Sequence, residues 1–208
     1  MLKILGRITS SNVQKVVWIC EELNVPFERT DIGGPFGGND KPDYLALNPN
    51  ARVPTIDDDG FVLWESNACT RYIAEKHGQG TQLWPADLQD RASADRWMDW
   101  TATTLAPAHG PVFVGLIRTP EDKRNPDAIA KGRDAYSKAV AVLDWWLADH
   151  EFLSGELFAY GDIPAAPFVY RWFNLPIERE NYPNVKRWYD AIAARPAFRK
   201  NVIDIGLQ

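Results

Sequence analysis

The chain has 208 residues, of which 45% are hydrophobic and 25% are charged, and its formal net charge is −5. This composition is typical of a globular protein of one or two domains with a sizeable core. The negative charge and the lack of a Lys/Arg-rich run argue against a nucleic-acid partner. No stretch approaches the roughly 20 apolar residues of a membrane span, and the first apolar run is too short for a signal peptide. Two cysteines without a C-x-x-C motif form no disulfide framework, so we expect a cytoplasmic protein with no membrane partner.

Strand and helix patterns alternate over the first 80 residues. The strands are predicted at residues 2–5, 27–32, 53–56 and 61–64, the last two joined in a hairpin through the Asp-Gly turn at 57–60. The helices are predicted at 12–23, around 44–47 and from 66 to about 77. The expected order is therefore β-α-β-α-β-β-α, with the last two strands antiparallel.

From residue 88 onwards only helical patterns remain. They predict helices at about 88–117, 126–149, 162–173 and 184–194, with Asp162 in the first turn of the third. Pro107 and Pro111 should bend or break the first of these helices. We therefore expect a small α/β domain over 1–80, a linker at 81–87 and an all-α domain over 88–208.

The stretch Gly6–Trp18 places two serines and an asparagine at the start of the first helix. Ser11 and Gln14 fit a capping box, in which Ser11 is the N-cap and Gln14 reaches back. Ser10 would then lie just outside the helix, free to donate to an anion at the positive helix end. A thiolate is such an anion, and Asn12 could donate to it from the first turn. A plain helix start remains the alternative.

Two further motifs can be interpreted in two ways. The Val53-Pro54 bond suits a cis turn that leaves the backbone of Val53 free to pair with an extended peptide-like ligand, or it belongs to an ordinary turn. Ser66 is a good N-cap, and with Glu65 it could bind an α-amino-acid head group through its ammonium and carboxylate. The alternative is a capping serine beside a surface acid.

Other candidate sites fail on chemistry. The glycine-rich segment 33–42 lacks both phosphate-loop patterns, and a mobile lid is the better interpretation. The three histidines have no metal-ligand spacing, so we predict no metal. Cys20 and Cys69 lie within predicted helices, and we expect core thiols.

The ordered set SSNVQKVVW…EELNVPFE, NPNARVP, WESNA…RYIAEKHG, FAYGDIPAAP and YPNVKRWYDAIAARPAF resembles the cytosolic glutathione transferases over the whole chain. Within that superfamily the chain is most similar to bacterial serine-type enzymes of the theta, phi and nu kinds. The resemblance implies a thioredoxin-like N-terminal domain without C-x-x-C, a helical C-terminal domain and a homodimer. It departs from the family at Ala159, where a Ser or Thr usually stands three residues before Asp162.

The family resemblance also implies roles for the motif residues. Glutathione would be the co-substrate, with its thiolate activated by Ser10 and Asn12 and its cysteinyl backbone paired with Val53 next to Pro54. Glu65 and Ser66 would bind the γ-glutamyl head, and Arg52 would lie near the glycyl end. A second, electrophilic substrate would lie between the domains. We expect its wall to include four residues of the helical half: Trp100, His109, Phe113 and Arg118.

The proline kink should turn His109 and Phe113 toward this cleft, although a core or dimer-contact role is the alternative for all four wall residues. Arg118 would favour an anionic electrophile such as a halogenated acid. The expected activity is attack of the glutathione thiolate on a small electrophile. Two alternatives stay open on the same fold: a glutathione-dependent disulfide reductase or peroxidase, which Asn12 permits, and a binding module without enzymatic activity.

Overall fold

A mixed four-stranded sheet forms the first part of the computed structural model, which describes residues 1–208. Its strands are β1 (Leu2–Leu5), β2 (Phe27–Thr30), β3 (Thr55–Asp58) and β4 (Phe61–Trp64). The spatial order is β2-β1-β3-β4. β1 runs parallel to β2 and antiparallel to β3, and β3 runs antiparallel to β4. The predicted strand arrangement is thus confirmed.

The hairpin between β3 and β4 has the turn chemistry that the sequence predicts. Asp59 and Gly60 have φ values of 52° and 95°, as a two-residue hairpin turn of the I′ type requires. The carboxylate of Asp57 accepts a hydrogen bond from the Gly60 N–H at 2.8 Å, which closes the turn. On the buried side, Ile56 pairs with Ile4 of β1, and both are fully buried.

Three helices accompany the sheet: α1 (Ser11–Glu22), α2 (Pro42–Leu45) and α3 (Ser66–Gly78). The apolar residues Val13, Val16, Val17 and Cys20 of α1 are buried, and α1 packs against α3. Cys20 and Cys69 are both buried free thiols, as expected for core cysteines. Burial raises the pKa of both thiols, so neither is poised to react as a thiolate.

The second part is entirely helical, as predicted. Its helices are α4 (Leu88–Trp100), α5 (Ala106–Phe113), α6 (Pro126–Leu147), α7 (Ala166–Asn174), α8 (Pro183–Ala193) and the single turn α9 (Pro196–Phe198). Together with the sheet, they confirm the predicted fold class. No helix of the chain combines the length and the apolar character needed to cross a membrane.

Of the bend or break expected at Pro107 and Pro111, the break does not occur, since the chain stays helical from Leu88 to Arg118. Two π-helical segments, Thr101–Leu105 and Val114–Arg118, lie on either side of α5, which contains both prolines. In π-helical winding the hydrogen bond spans five residues instead of four. This change of winding beside the prolines lets the helix continue where a regular α-helix would lose bonds.

The start of α7 also differs from the prediction, because Asp162 lies in a turn four residues before the helix begins. Its fully buried carboxylate accepts hydrogen bonds from the N–H groups of Leu153 (2.7 Å) and Ala159 (3.1 Å) and from Trp188 Nε1 (2.9 Å). Asp162 therefore ties the preceding loop to α8. Burial raises the pKa of Asp162, and these donors oppose the rise. The backbone N–H of Ala159, three residues before Asp162, is one of these donors.

The two parts of the chain meet along α1. This helix contacts α7 and α9 of the helical part in addition to α3. At its end, Arg195 makes two hydrogen bonds to the Glu22 carboxylate at 2.8 and 2.6 Å, and its guanidinium lies 3.9 Å from the ring centroid of Phe158. A single apolar core therefore runs from the sheet into the helical part.

Candidate active site

The amino end of α1 begins one residue earlier than the capping-box prediction. Ser10 (φ −84°, ψ 120°) takes the N-cap position and Ser11 is the first helical residue, so the assignment of Ser11 as N-cap is wrong. The Ser10 N–H donates to the Arg7 carbonyl at 3.1 Å, and the Gln14 N–H donates to the Ser10 carbonyl at 2.9 Å, which starts the helix here. The side chain of Gln14 is buried and does not reach back.

This helix end is left with a set of unused hydrogen-bond donors. The backbone N–H groups of Ser11, Asn12 and Val13 make no hydrogen bond within the chain, and no side chain caps the helix. The Ser10 hydroxyl and the Asn12 Nδ2 group also lack a partner within the chain. Uncapped N–H groups at the positive end of a helix dipole favour an anion.

The turn before β3 presents the backbone of Val53. Its bond to Pro54 is cis, and neither the N–H nor the C=O of Val53 has a hydrogen-bond partner in the chain. The turn is held from behind, where the Tyr44 hydroxyl (2.6 Å) and Asn48 Nδ2 (2.8 Å) donate to the Arg52 carbonyl. Two unpaired backbone groups on a well-supported turn can pair with an extended ligand.

The helix α3 begins at Ser66, as predicted, but its N-cap is a different residue. Glu65 is the residue before the helix and Ser66 is its first residue, so the assignment of Ser66 as N-cap is wrong. Glu65 has a φ of 71°, a strained value for a residue with a side chain, and its carboxylate is exposed. The Ser66 hydroxyl is buried and lies 3.4 Å from Lys15 Nζ.

Lys15 is a site residue that the sequence analysis did not single out. It is 3% exposed, and its ammonium donates to Asn12 Oδ1 (3.0 Å), Asn67 Oδ1 (3.3 Å) and Ser66 Oγ (3.4 Å). Burial lowers the pKa of Lys15 to about 7, and the Glu65 carboxylate opposes this shift. Lys15 therefore links the amino ends of α1 and α3.

A cavity of about 550 Å³ lies between the two parts of the chain. Its walls include these predicted site residues: Ser10, Ser11, Asn12, Arg52, Val53, His109, Phe113 and Arg118. Pro54, Glu65 and Ser66 are not among its lining residues. Trp100 is not among the lining residues either, and it packs edge-on against Trp97 at a centroid distance of 5.3 Å.

Four arginines without an acidic partner line the cavity: Arg7, Arg52, Arg118 and Arg171. None of them belongs to an ion pair of the chain. Arg118 and Arg171 both lie over the Phe113 ring, at 5.0 and 3.8 Å from its centroid. Burial lowers the pKa of Arg171 to about 10. Guanidinium groups remain charged at such a pKa, so the cavity is electropositive.

Sequence reasoning did not identify Arg7 or Arg171. Arg171 lies within an apolar helical run and interrupts the pattern of a buried helix face. Arg7 packs so close to Gly34 that a Cβ there would lie 2.3 Å from its Nε, and only a glycine leaves this space. The sequence signal was an unusual setting for an arginine in each case. Arg171 stands within an apolar run, and Arg7 directly follows Gly6.

His109 is neutral in this environment. Arg171 Nη1 donates to His109 Nε2 at 3.5 Å, which requires that nitrogen to be unprotonated. Burial, together with Arg171 and Arg118, lowers the pKa of His109 to about 3. His109 also stacks on Phe113 at a centroid distance of 5.1 Å. It therefore acts in this wall as an aromatic acceptor and not as a cation.

A second cavity, of about 660 Å³, is lined by Trp146 and His150 among others. It contains none of the predicted site residues. The donors and unpaired backbone groups converge instead on the smaller interdomain cavity, which is the better candidate for the active site.

Two family models match the chain. The glutathione S-transferase N-terminal domain matches residues 9–76, and the glutathione S-transferase C-terminal domain matches residues 105–196.

Among known proteins, the chain is 42% identical to glutathione S-transferase GstB of Escherichia coli strain K12, over 98% of both chains. It is 34% identical to glutathione S-transferase 3 of Zea mays, over 99% of this chain and 95% of the relative. The theta class glutathione S-transferase of Xanthomonas axonopodis pv. citri, solved with glutathione bound, superposes with a TM-score of 0.94 and 44% identity over 97% of each chain. The chain belongs to the glutathione S-transferase family and is an enzyme of that kind.

Proposed function

We propose that this glutathione S-transferase binds glutathione as a thiolate at the amino end of α1. Ser10 and Asn12 would donate to the sulfur, together with the free N–H groups of the first helical turn. The observation that carries the proposal is the set of unpartnered donors around one point of the cavity wall. Such donors lower the pKa of a thiol from its usual value of about 8.5. Ser11 contributes through its backbone N–H.

The remaining groups of the tripeptide would use the other two motifs. The backbone N–H and C=O of Val53, next to Pro54, are free to pair with the cysteinyl unit. The exposed carboxylate of Glu65 suits the γ-glutamyl ammonium, and the Ser66 hydroxyl suits its carboxylate. Arg52 lines the cavity beside Val53 and is available for the glycyl carboxylate. The sheet domain would thus bind glutathione, and the helical domain would line the electrophile site.

We assign the second substrate to small electrophiles that carry a negative charge, with halogenated acids as the model class. Arg118 and Arg171 flank Phe113, and no acid of the chain neutralises them. A carboxylate beside the reacting carbon would be attracted to these guanidinium groups. The thiolate would then displace the halide, forming a carbon–sulfur bond and releasing the halide ion.

The thiolate part of the proposal is tested by titrating bound glutathione through its ultraviolet thiolate absorbance. A hydrogen bond to a charged group contributes about 1.5–3 kcal/mol, which corresponds to roughly 1–2 pKa units. Ser10→Ala should therefore raise the thiol pKa by about 1 unit and lower the conjugation rate at neutral pH. Unchanged thiol pKa values in both Ser10→Ala and Asn12→Ala would contradict the proposal.

The anionic class is tested with a matched pair, iodoacetate and iodoacetamide, which share a leaving group and differ in charge. After subtraction of the uncatalysed rates, Arg171→Met should lower kcat/KM for iodoacetate about tenfold or more and leave iodoacetamide nearly unchanged. Arg133→Met, at an arginine outside the cavity, is the control. Equal loss with both reagents would reject a charge-based preference. Rapid turnover of glutathione disulfides or peroxides with negligible conjugation would favour the alternative reductase activity.

A homodimer, which the family resemblance implies, and a cytoplasmic location, which the cysteine usage and composition predict, stay predictions. Light scattering of the purified protein checks the oligomeric state.

A further inference from the structure

We propose that Lys15 is a positioning residue of the thiol site, which fixes the amide of Asn12 so that its Nδ2 group faces the cavity. The inference rests on the proposed role of Asn12 as a donor to the glutathione sulfur. Lys15 itself lies behind the site and lines no part of the cavity. It would act only through the side chain that it holds.

The side-chain amide of an asparagine has a donor end and an acceptor end. Only the Nδ2 end of Asn12 can stabilise a thiolate, because the Oδ1 end would repel it. Asn12 is exposed, and nothing but Lys15 makes a side-chain hydrogen bond to it. Without that bond, rotation of the amide by 180° would bring Oδ1 toward the sulfur.

Lys15 selects one end of the Asn12 amide. Its Nζ donates to Asn12 Oδ1 at 3.0 Å. In its protonated form Lys15 has donors and no acceptor, so it binds only the oxygen end. The Nδ2 group is thereby left for the cavity side.

Lys15 is itself held in place from the helical domain. Asn67 Nδ2 donates to the backbone carbonyl of Met98 in α4 at 2.7 Å, which turns Asn67 Oδ1 toward Lys15 Nζ at 3.3 Å. The Phe168 ring of α7 lies 5.3 Å from Nζ on another side. Each amide in this series is oriented by its neighbour, from the Met98 carbonyl to Asn12.

The link that Lys15 makes between α1 and α3 is a costly one. Lys15 has no carboxylate within ion-pair distance, and it lies between the positive ends of two helices. Burying an amine in this way costs free energy that an apolar residue would not cost. A role at the adjacent thiol site accounts for the cost.

The test is a double-mutant cycle on Lys15 and Asn12, with the pKa of enzyme-bound glutathione as the readout. We expect Asn12→Ala to raise the thiol pKa by about 1 unit and Lys15→Met to raise it by a comparable amount. The double variant should show no larger rise than Asn12→Ala alone, because both changes remove the same interaction. The rate with iodoacetamide should fall in kcat at neutral pH, with little change in the KM for glutathione. Lys131→Met, at an exposed lysine of α6, is the matched control.

The outcomes separate the two proposals. A raised thiol pKa in Asn12→Ala with a wild-type value in Lys15→Met overturns the role of Lys15 and leaves the thiolate proposal intact. Additive shifts also overturn it, since Lys15 would then act independently of Asn12. Wild-type values in both Ser10→Ala and Asn12→Ala reject the thiolate proposal itself.

Asn67→Ala provides a second variant in case Lys15→Met folds poorly. It keeps Lys15 and Asn12 and removes one of the two α3 acceptors of the lysine, together with the hydrogen bond from Asn67 to the Met98 carbonyl; Ser66 Oγ remains. We expect a smaller rise in the thiol pKa in the same direction, and an unchanged value counts against the inference.

Discussion

At the scale of single residues, His109 illustrates how the cleft determines protonation. The imidazole accepts a hydrogen bond from Arg171, and burial with two nearby guanidinium groups lowers its pKa to about 3. In the unfolded chain its pKa would be about 6.5. Below pH 6.5 the unfolded state therefore binds a proton that the folded state does not bind. The contribution of His109 to stability is lost as the pH falls from about 6.5 to about 3.

His109→Gln should make unfolding less sensitive to acid. Glutamine keeps an acceptor for Arg171 but does not titrate. The variant therefore lacks the pH-dependent contribution of His109 to stability. The free energy of urea unfolding should fall less steeply for the variant than for the wild-type protein between pH 6.5 and pH 4. Parallel curves over that range would mean that His109 titrates normally in the folded state. Between pH 7 and pH 8 the two slopes should agree, which serves as the internal control.

Residues such as Ser10 and Val53 were predictable because helix starts and X-Pro turns have local sequence signals. The exact N-cap was not predictable, since the choice between Ser10 and Ser11 depends on how the turn after β1 bonds to Arg7. Lys15 and Arg171 were not predicted, because a single cationic residue on an apolar helix face is normally taken as a side chain that extends to solvent. Their partners come from other elements, and only the folded chain brings these together.

At the scale of elements, close packing between the turn before α7 and helix α4 depends on one glycine. A Cβ on Gly161 would lie 2.7 Å from the Ala94 Cα and 2.8 Å from its carbonyl oxygen, both backbone atoms that cannot move aside cheaply. This contact lets the adjacent Tyr160 hydroxyl reach the Arg91 carbonyl at 3.0 Å and Asp95 Oδ1 at 2.9 Å. Gly161 thus sets the distance between two elements.

Gly161→Ala should therefore destabilise the protein by about 1–3 kcal/mol, as overpacking commonly does. Gly110→Ala is the comparison, because a Cβ at this position of α5 meets no atom within 4 Å. An alanine there should stabilise the helix by roughly 0.5–1 kcal/mol. Urea unfolding of both variants measures the difference, and a Gly161→Ala variant as stable as the wild-type protein would show that the turn can move freely.

The elements were the part of the fold most accessible from sequence. Periodicity alone placed α6 and α8 within two residues of their observed bounds. Failures came where side-chain hydrogen bonds compete with the local pattern. The buried carboxylate of Asp162 binds loop N–H groups and delays α7, and π-helical winding carries the chain past Pro107 and Pro111. Neither effect has a periodic signature.

At the scale of the whole molecule, the two domains share α1. This helix packs on α3 within the sheet domain and on α7 and α9 of the helical domain. The Arg195–Glu22 pair, in which the carboxylate side chain is 10% exposed, adds a polar link across the same boundary. We therefore expect the domains to unfold together, because neither retains a complete core without the other.

Arg195→Met should lower the free energy of unfolding by about 2 kcal/mol, because it leaves the nearly buried Glu22 carboxylate with only the Trp18 N–H as donor. The loss should appear equally in tryptophan fluorescence and in far-ultraviolet circular dichroism. Lys186→Met removes an exposed ion pair with Asp190 within α8 and should cost roughly 0.5 kcal/mol or less. Two separated transitions in the Arg195→Met variant would indicate that this pair, and not the shared helix, couples the domains.

The hydrogen bonds that lead from Met98 to Asn12 have a consequence for recombination between related genes. A chimera that joined residues 1–80 of this chain to the helical half of a relative would retain every sheet-domain side chain proposed to touch glutathione. It would nevertheless place a different α4 against Asn67, so the support for Lys15 and Asn12 would survive only where the new helix sets a backbone carbonyl at the position of Met98. The thiol chemistry would therefore transfer intact only with a helical half whose α4 packs on α3 in the same position.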